Sequence, residues 1–417
     1  MNLLSILITT SLILISSSKA VDDSTLKEKD GLVYLSDKPF TGEGCGYYKS
    51  GEKEYSVEYI DGIKTKDYTY FNLDGTIKAP INLDSLDKKW DAYYPKESDR
   101  PYSGPVFMRN EEGSVFVNST LKRGKHHGRL VEYSESGQIG VEINFLDGVK
   151  DGLFKEYFLS GQLHLELTYK NGKENGSYNT FFEDGQIEVE STFIDGYKDG
   201  VYREYYENGQ LYLETTFKNR EENGNHIRYY EDGKIGVESS VVDGLKHGSY
   251  KEYYPGGQLH LETTFNKGKE NGSYKTYFEN GGISFELTYA DGKLDGKTIQ
   301  YSDNGNIKME GNYKDGVRHG VLKVFRENGQ IRSETNFKHG KRDGSDKIYF
   351  DGGGVDEEWT YKDDLPHGLY RLYYRSGSVV IEANYKNGKR EGSEKKYLEN
   401  GQLEYEHVYK AGVKIVE

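Results

Sequence analysis

From Gly128 onward the chain repeats itself every 24 residues, and the phase never breaks. Glycines close a Lys-x-x-Gly-like turn at 128, 152, 176, 200, 224, 248, 272, 296, 320, 344, 368 and 392. A second series follows nine residues later, from Gly137 to Gly401, and a Glu stands five residues beyond it in all twelve repeats, from Glu142 to Glu406. A third glycine series runs from Gly148 to Gly412 and is broken at Asp364. Twenty-four residues hold two strands of about seven residues and their turns, with no room left for an ordinary helix. A chain of this kind must build its core by stacking one small motif on the next.

The local pattern identifies the motif as a β-hairpin. Between two alternating runs stand Asn208-Gly209 or Asp184-Gly185, the strongest short-range hairpin signal, because both central residues of a type I′ turn need positive φ. A two-residue turn at Asn208-Gly209 sets Tyr206 opposite Leu211, Glu204 opposite Leu213 and Tyr202 opposite Thr215. Phe217 joins that apolar face. The other face pairs Tyr205 with Tyr212 and Arg203 with Glu214. Counting the first glycine of a repeat as position 0, position 3 is Lys or Arg in Lys155, Arg203, Lys251, Lys275, Lys323, Lys347, Arg371 and Lys395, each opposite the recurring Glu. The Glu series therefore reads as a structural ladder rather than a catalytic or cation-binding stripe. The expected fold is all-β: an elongated, twisted single-layer antiparallel sheet of tandem hairpins.

Composition agrees with a thin architecture. The 417 residues include 51 Gly and 38 Tyr but only 34% hydrophobic residues, too few for several thick cores and too aromatic for a disordered chain. A net charge of -14 disfavours nucleic acid and anionic membrane surfaces. The single Cys45 excludes an internal disulfide framework and reads as a small buried residue.

Residues 1–20 read as a signal peptide. Leu3 to Ile15 are apolar and too few to span a bilayer comfortably, and Ser18-Lys19-Ala20 offers a cleavage site before the acidic Val21-Asp22-Asp23. No other stretch could cross a membrane. Residues 21–78 read as divergent hairpins, because Gly42, Gly51, Gly62 and Gly75 keep the repeat spacings out of register. Residues 79–100, with Pro80 and Pro95, read as a linker or insertion, and 101–417 as the array, one divergent repeat followed by twelve regular ones. Asp37–Gly42 and Asp99–Gly104 look like two versions of one repeat start.

The motif Gly-x₄-aromatic, Asn-Gly, Glu-x₂-aromatic, Asp/Asn-Gly-Lys resembles the MORN repeat, and Tyr253-Tyr254-Pro255-Gly256-Gly257-Gln258-Leu259 looks like its bacterial variant. The resemblance is strong over 101–417 and weak over 31–78. It implies extended sheets of successive hairpins, used for protein or lipid contact and scaffolding rather than chemistry, with an antitoxin label on some bacterial relatives. The acidic charge, the apparent export and a period one residue longer than the eukaryotic motif depart from that family.

No nucleophile constellation and no paired-carboxylate pocket is visible, and no cofactor or metal is expected. His127, His247, His319 and His367 precede the first glycine, a slot elsewhere held by Asp or Asn. Tolerance of positive φ explains all three residue types there. His164 and His260 stand too far apart to share a metal. The acidic turn Asp195–Gly200 carries a Lys and lacks the ligand spacing of a calcium loop. Gly42-Glu43-Gly44-Cys45-Gly46 lacks the context of a phosphate cradle.

The expected function is a secreted or surface-displayed interaction scaffold or adhesin-like binder, not an enzyme; the alternative is an antitoxin-like neutralising module. Its partner is a protein or surface glycan, with self-association as a further possibility. Tyr157, Tyr205, Tyr212, Tyr253 and Tyr277 are the candidate contact residues, since tyrosine combines a broad ring with a hydroxyl suited to wet interfaces. The apolar face needs a cover, either a partner or the stems of Lys and Glu. Between Gly320 and Gly368 the pattern frays: Arg326, Ser333, Asp346 and Glu357 fall at apolar-face positions, marking a weak point or a contact zone. Truncation after Gly320 is expected to lower partner binding more than overall order.

Overall fold

The computed structural model describes residues 20–29, 32–65 and 67–415. The signal-peptide reading of 1–20 thus lies, apart from Ala20, outside the described residues. Of the described residues, 66% are strand and 2% helix. It divides into two compact units, Met1–Tyr197 and Lys198–Glu417.

The unit beginning at Lys198 consists of tandem antiparallel hairpins in open sheet. Strand Gly200–Tyr205 pairs with Leu211–Lys218, which pairs with Glu221–Tyr229, and each strand then pairs with the next to Val413–Ile415. The register follows the sequence reading over most of each hairpin: Tyr202 faces Thr215, Arg203 faces Glu214 and Glu204 faces Leu213.

At the turn the reading fails. Tyr205 faces Leu211 rather than Tyr212, with a register shift between Glu204 and Tyr205. Tyr206 faces Gln210, whose carbonyl accepts from the Tyr206 N–H at 2.8 Å, while the Gly209 N–H donates to the Tyr206 carbonyl, also at 2.8 Å. Only Gly209 has positive φ (79°), so the loop is a type I turn closed by a glycine bulge at Gly209, and the register shift two residues further on makes Tyr212 an extra residue of its strand. Asn208 favours this turn because its Oδ1 accepts from the Gln210 N–H at 2.9 Å, an Asx turn that needs no positive φ at Asn.

The type I′ turns lie at the opposite ends of the strands. Asn171 and Gly172 have φ of 50° and 81°, and the equivalent pair recurs from Asp147-Gly148 to Ala411-Gly412. Besides Asp364, Arg220 also breaks this glycine series, and both residues hold positive φ without being glycine. The slot before the first glycine has a different basis from the one its residue types suggested. His127, Asp151 and His247 are not at positive φ; the twisted residue is the next turn's Asp147, Asn171 or Lys267. The slot supplies an acceptor for that residue's N–H: Asp151 Oδ2 accepts from Asn171 at 2.9 Å, Asp295 Oδ2 from Asp315 at 3.2 Å, and Glu391 Oε2 from Ala411 at 2.7 Å. His367 Nδ1 lies 3.4 Å from the Asn387 N–H.

A one-layer sheet buries its core beneath its own side chains. Position 15 is small or aliphatic in every repeat but those of Trp359 and His407, and is closed to solvent in most: Thr215 is 1% exposed, Ala383 1% and Leu167 3%. Aromatic rings at positions 2 and 17 lie beside it, Tyr202 on Phe217 with centroids 5.8 Å apart and Tyr250 on Phe265 at 5.4 Å. Basic residues from the preceding repeat cover those rings. Lys198 Nζ is 3.8 Å from the Tyr202 centroid, Lys246 Nζ 4.0 Å from Tyr250, and the Arg342 guanidinium 4.0 Å from Tyr361. The lysine stems are thus part of the cover over the apolar face.

In the unit ending at Tyr197 the array begins differently. Residues 79–100, read from the sequence as a linker or insertion, contain strands Ile81–Asn82, Leu86–Lys89 and Ala92–Pro95 with a 3-10 turn at Leu83–Ser85. They repeat the organisation of residues 21–42. Val21-Asp22 runs parallel to Gly44-Cys45, and Ile81-Asn82 runs parallel to Val106-Phe107. Asp22 and Asn82 each cap a 3-10 turn through the side chain. The Phe40 N–H donates to Val33 and the Gly62 N–H to Phe40, as Tyr102 does to Tyr93 and Gly124 to Tyr102. The prolines and the lost period disguised a second copy of one edge-covering element. Its core is Leu83, Leu86, Val106 and Leu121; that of the first copy is Phe40, Val57 and Tyr59.

Candidate interaction surface

The recurring Glu is the centre of a polar ladder. It accepts from the position 3 base of its own hairpin: Lys155–Glu166 at 2.8 Å, Arg203–Glu214 at 2.7 Å, Lys347–Glu358 at 3.2 Å and Arg371–Glu382 at 2.8 Å. Where position 3 is apolar, as at Val131 and Ile299, a base at position 1 takes over: Arg129 pairs with Glu142, and Lys297 with Glu310 at 3.6 Å. The sequence reading missed this second route, although a base two residues earlier on the same face was its signal.

The position 5 tyrosine of the following repeat completes the set. Tyr253 Oη donates to Glu238 at 2.9 Å, Tyr277 to Glu262 at 2.7 Å, Tyr349 to Glu334 at 2.9 Å and Tyr373 to Glu358 at 3.3 Å. Burial, then these carboxylates, push the phenols of Tyr253, Tyr277 and Tyr349 up to about 12. Of the five candidate tyrosines, Tyr157, Tyr205, Tyr253 and Tyr277 occupy position 5 and are half-buried; Tyr157 is likewise raised by burial and by Glu142. Tyr212 instead packs edge-on against Tyr206, with centroids 5.0 Å apart. The structure therefore puts Tyr253 and Tyr277 in the ladder of the unit beginning at Lys198, with Tyr205 at the equivalent position there and Tyr157 at the equivalent position in the other unit, and leaves Tyr212 beside the turn.

Position 6 joins neighbouring repeats. Tyr206 Oη donates to the Tyr229 carbonyl at 2.9 Å, Tyr230 to Tyr253 at 2.6 Å, Tyr254 to Tyr277 at 2.8 Å and Tyr374 to Tyr397 at 3.1 Å. At the other strand ends, the Gly172 N–H donates to the Lys150 carbonyl and the Gly268 N–H to the Lys246 carbonyl, both at 2.8 Å. The frayed segment is held by substitutes. Arg326 donates to the Tyr349 carbonyl at 2.5 Å and pairs with Asp351 at 2.7 Å. Asp346 accepts from Thr335 at 2.9 Å and lies 3.6 Å from Arg342.

The remaining candidates are structural. His164 and His260 stack on Phe158 and Tyr254, at 4.4 and 4.5 Å. His127 is 3% exposed against Tyr68, and burial, then Lys122, lowers it to about 4, so it stays neutral at physiological pH. Among the described residues no three His, Cys, Asp or Glu side chains are grouped to hold a metal ion. Cys45 is fully buried and its thiol is pushed up, chiefly by burial, which disfavours the reactive thiolate. Gly46, in the segment weighed as a phosphate cradle, sits in a strand beneath Tyr55; a Cβ there would lie 2.2 Å from the ring. Among the described residues no helix is long and apolar enough to cross a membrane.

The sequence pattern of the MORN repeat variant matches nine segments of the array: 150–171, 174–195, 198–219, 246–267, 270–291, 294–315, 318–339, 366–387 and 390–411. With hairpins of this register throughout, the chain belongs to the MORN-variant repeat family. No curated protein matches it in sequence. Among solved structures, a crystal structure of TcdB2-TccC3 is 11% identical, covering 91% of this chain and 24% of that chain, with a TM-score of 0.16. A Photorhabdus luminescens Tc holotoxin pore structure is 12% identical, covering 89% and 23%, also with a TM-score of 0.16. The chain thus spans about a quarter of those chains, and a likeness at that score carries no argument about fold or function.

Proposed function

We propose that this protein is an exported, non-catalytic interaction scaffold whose contact surface is the tyrosine-bearing polar ladder. The observation that supports this most directly is the repetition of one Tyr–Glu–base set at 24-residue steps: Tyr253 with Glu238, Tyr277 with Glu262, Tyr349 with Glu334 and Tyr373 with Glu358. A half-exposed ring held by its own hydroxyl presents an ordered face at little entropic cost to a partner, and its repetition favours multivalent contact. A protein or surface glycan suits such a face; a -14 chain repels polyanions. The export reading rests on the apolar run Leu3 to Ile15 and the small residues Ser18 and Ala20 that precede the acidic Val21-Asp22-Asp23.

The test is affinity capture by the mature chain from Val21 against host surface material and the producer's own envelope, with N-terminal sequencing of the native protein. Capture that weakens when Tyr253, Tyr277 and Tyr349 become Ala supports the scaffold. Capture of a single cytosolic toxin, with the native chain found inside the cell and starting at Met1, would replace it with the neutralising module.

A further inference from the structure

The position 6 row has a gap. Within the unit beginning at Lys198 it reads Tyr206, Tyr230, Tyr254, Phe278, Ser302, Arg326, Phe350, Tyr374 and Leu398. Where tyrosine stands, its hydroxyl reaches the carbonyl 23 residues on. Ser302 is too short to do this, and its Oγ bonds locally, to Asn304 Oδ1 at 2.6 Å and to the Asn306 carbonyl at 3.0 Å. In place of the absent ring lies a cleft of about 540 Å³, lined by Ser302, Asn304, Ile307, Met309, Phe325 and Arg326, among others. The Arg326 guanidinium is committed on two nitrogens, to Tyr349 and Asp351, but its Nε is buried with no hydrogen-bond partner. An unpaired buried donor of this kind is costly and calls for an acceptor.

We infer that this cleft receives a tyrosine side chain from a protein partner, supplying from outside the ring that the repeat lacks at Ser302. The lining sets the chemistry. Ile307, Met309, Val324 and Phe325 give it an apolar wall, while Asp303 and Glu327 make part of the remaining lining acidic and disfavour a carboxylate. Arg326 Nε–H needs an oxygen acceptor beside that wall, which a phenol has and a phenylalanine does not. Phe278 and Arg326 hold this slot in the two adjoining repeats, and the sister repeats at Tyr206, Tyr230, Tyr254 and Tyr374 fill it with phenols whose hydroxyls reach the next repeat. The inference deepens the scaffold reading by naming a contact point, and its test needs no knowledge of the partner.

The full mature chain, labelled at its methionine methyls, is titrated with N-acetyl-tyrosinamide, N-acetyl-phenylalaninamide and a capped Gly-Ser-Tyr-Ser-Gly peptide. Met309 lines the cleft and Met108 lies in strand Gly104–Arg109, which makes Met108 the internal control. Expected are a saturable Met309 shift with the tyrosine amide and the peptide, a several-fold weaker one with the phenylalanine amide, and an unmoved Met108. Ser302→Tyr, which restores the residue of the sister repeats, should abolish the shift while the melting temperature holds or rises. Should Ser302→Tyr unfold the chain, Arg326→Lys, which lacks the Nε–H of a guanidinium, should weaken the tyrosine probes toward the phenylalanine value. A flat Met309 titration, equal shifts for both amides, or a tyrosine amide that binds while the peptide is excluded would overturn the inference. Failure here with successful capture by the array would leave the scaffold standing and remove only the cleft.

Discussion

Left-handed backbone is the residue-scale constraint that recurs most often in this chain. Each type I′ turn twists a non-glycine residue to φ near 50°, and Asp or Asn holds that place in most repeats. Lys267, at φ 48°, has no short polar side chain to ease the twist, and an ordinary L-residue there costs about 1–2 kcal/mol. Lys267→Asn should therefore stabilise the protein by roughly 0.5–1 kcal/mol, read as a higher urea midpoint at unchanged slope. Tyr206→Phe keeps the ring on Tyr212 but removes the hydroxyl from the Tyr229 carbonyl. The expected loss is about 0.5–1.5 kcal/mol, measured in the same way. The residue-scale reading of the sequence was right about which residue types tolerate positive φ and wrong about where they use it. His127, Asp151 and their equivalents are acceptors for the next turn, a role visible only once the next hairpin lies alongside.

At the scale of the hairpin, alternation alone carried the pairing of Tyr202 with Thr215 and Arg203 with Glu214, because a period-2 pattern with one buried face admits one register. It could not carry the pairing at the turn. Asn-Gly suits both a two-residue I′ loop and a type I loop with a bulge, and the choice moves Tyr206 from Leu211 to the ring of Tyr212. The ladder belongs to this scale. Lys347 and Glu358 are partly exposed, so a double-mutant cycle with Lys347→Met and Glu358→Gln should give a coupling of only about 0.2–1 kcal/mol. The Tyr373 hydroxyl shares that carboxylate, so repeating the cycle in Tyr373→Phe should change the coupling; strict additivity would show that the three groups do not act as a set.

At the scale of the whole molecule, the same shift recurs in repeat after repeat and so becomes a global property. Tyr253, Tyr277 and Tyr349 ionise near 12 in the folded state, against about 10 in an unfolded chain. Their folded values are raised, so the stability linked to them is complete below pH 10 and is lost as pH climbs through 12. Phenolate absorbance should lag behind that of free tyrosine and then rise together with loss of β-sheet circular dichroism; loss of structure near pH 9 would contradict it. Nearest-neighbour coupling also predicts that excising residues 224–271, two whole repeats joining Asn223 to Gly272, leaves the β-sheet signal per residue unchanged. Removing 12 residues from the same place should not, because half a repeat puts a strand against the wrong register.

The sequence by itself determined the hairpin, its period, the buried face and the base–Glu ladder, because all of these follow from spacing along one chain and a two-residue alternation. Tertiary structure alone decided what lies between hairpins. Examples are the second edge-covering element at 81–104, the Tyr206-type bonds across repeats, the lysines over Tyr202 and Tyr250, and the cleft left by Ser302. Apart from the lysines, which lie four residues from their rings and depend on how the turn between them folds, those features join residues about 20 or more positions apart or hang on a lone exception to the period. A contact of that kind has no local signature until neighbouring strands are laid side by side.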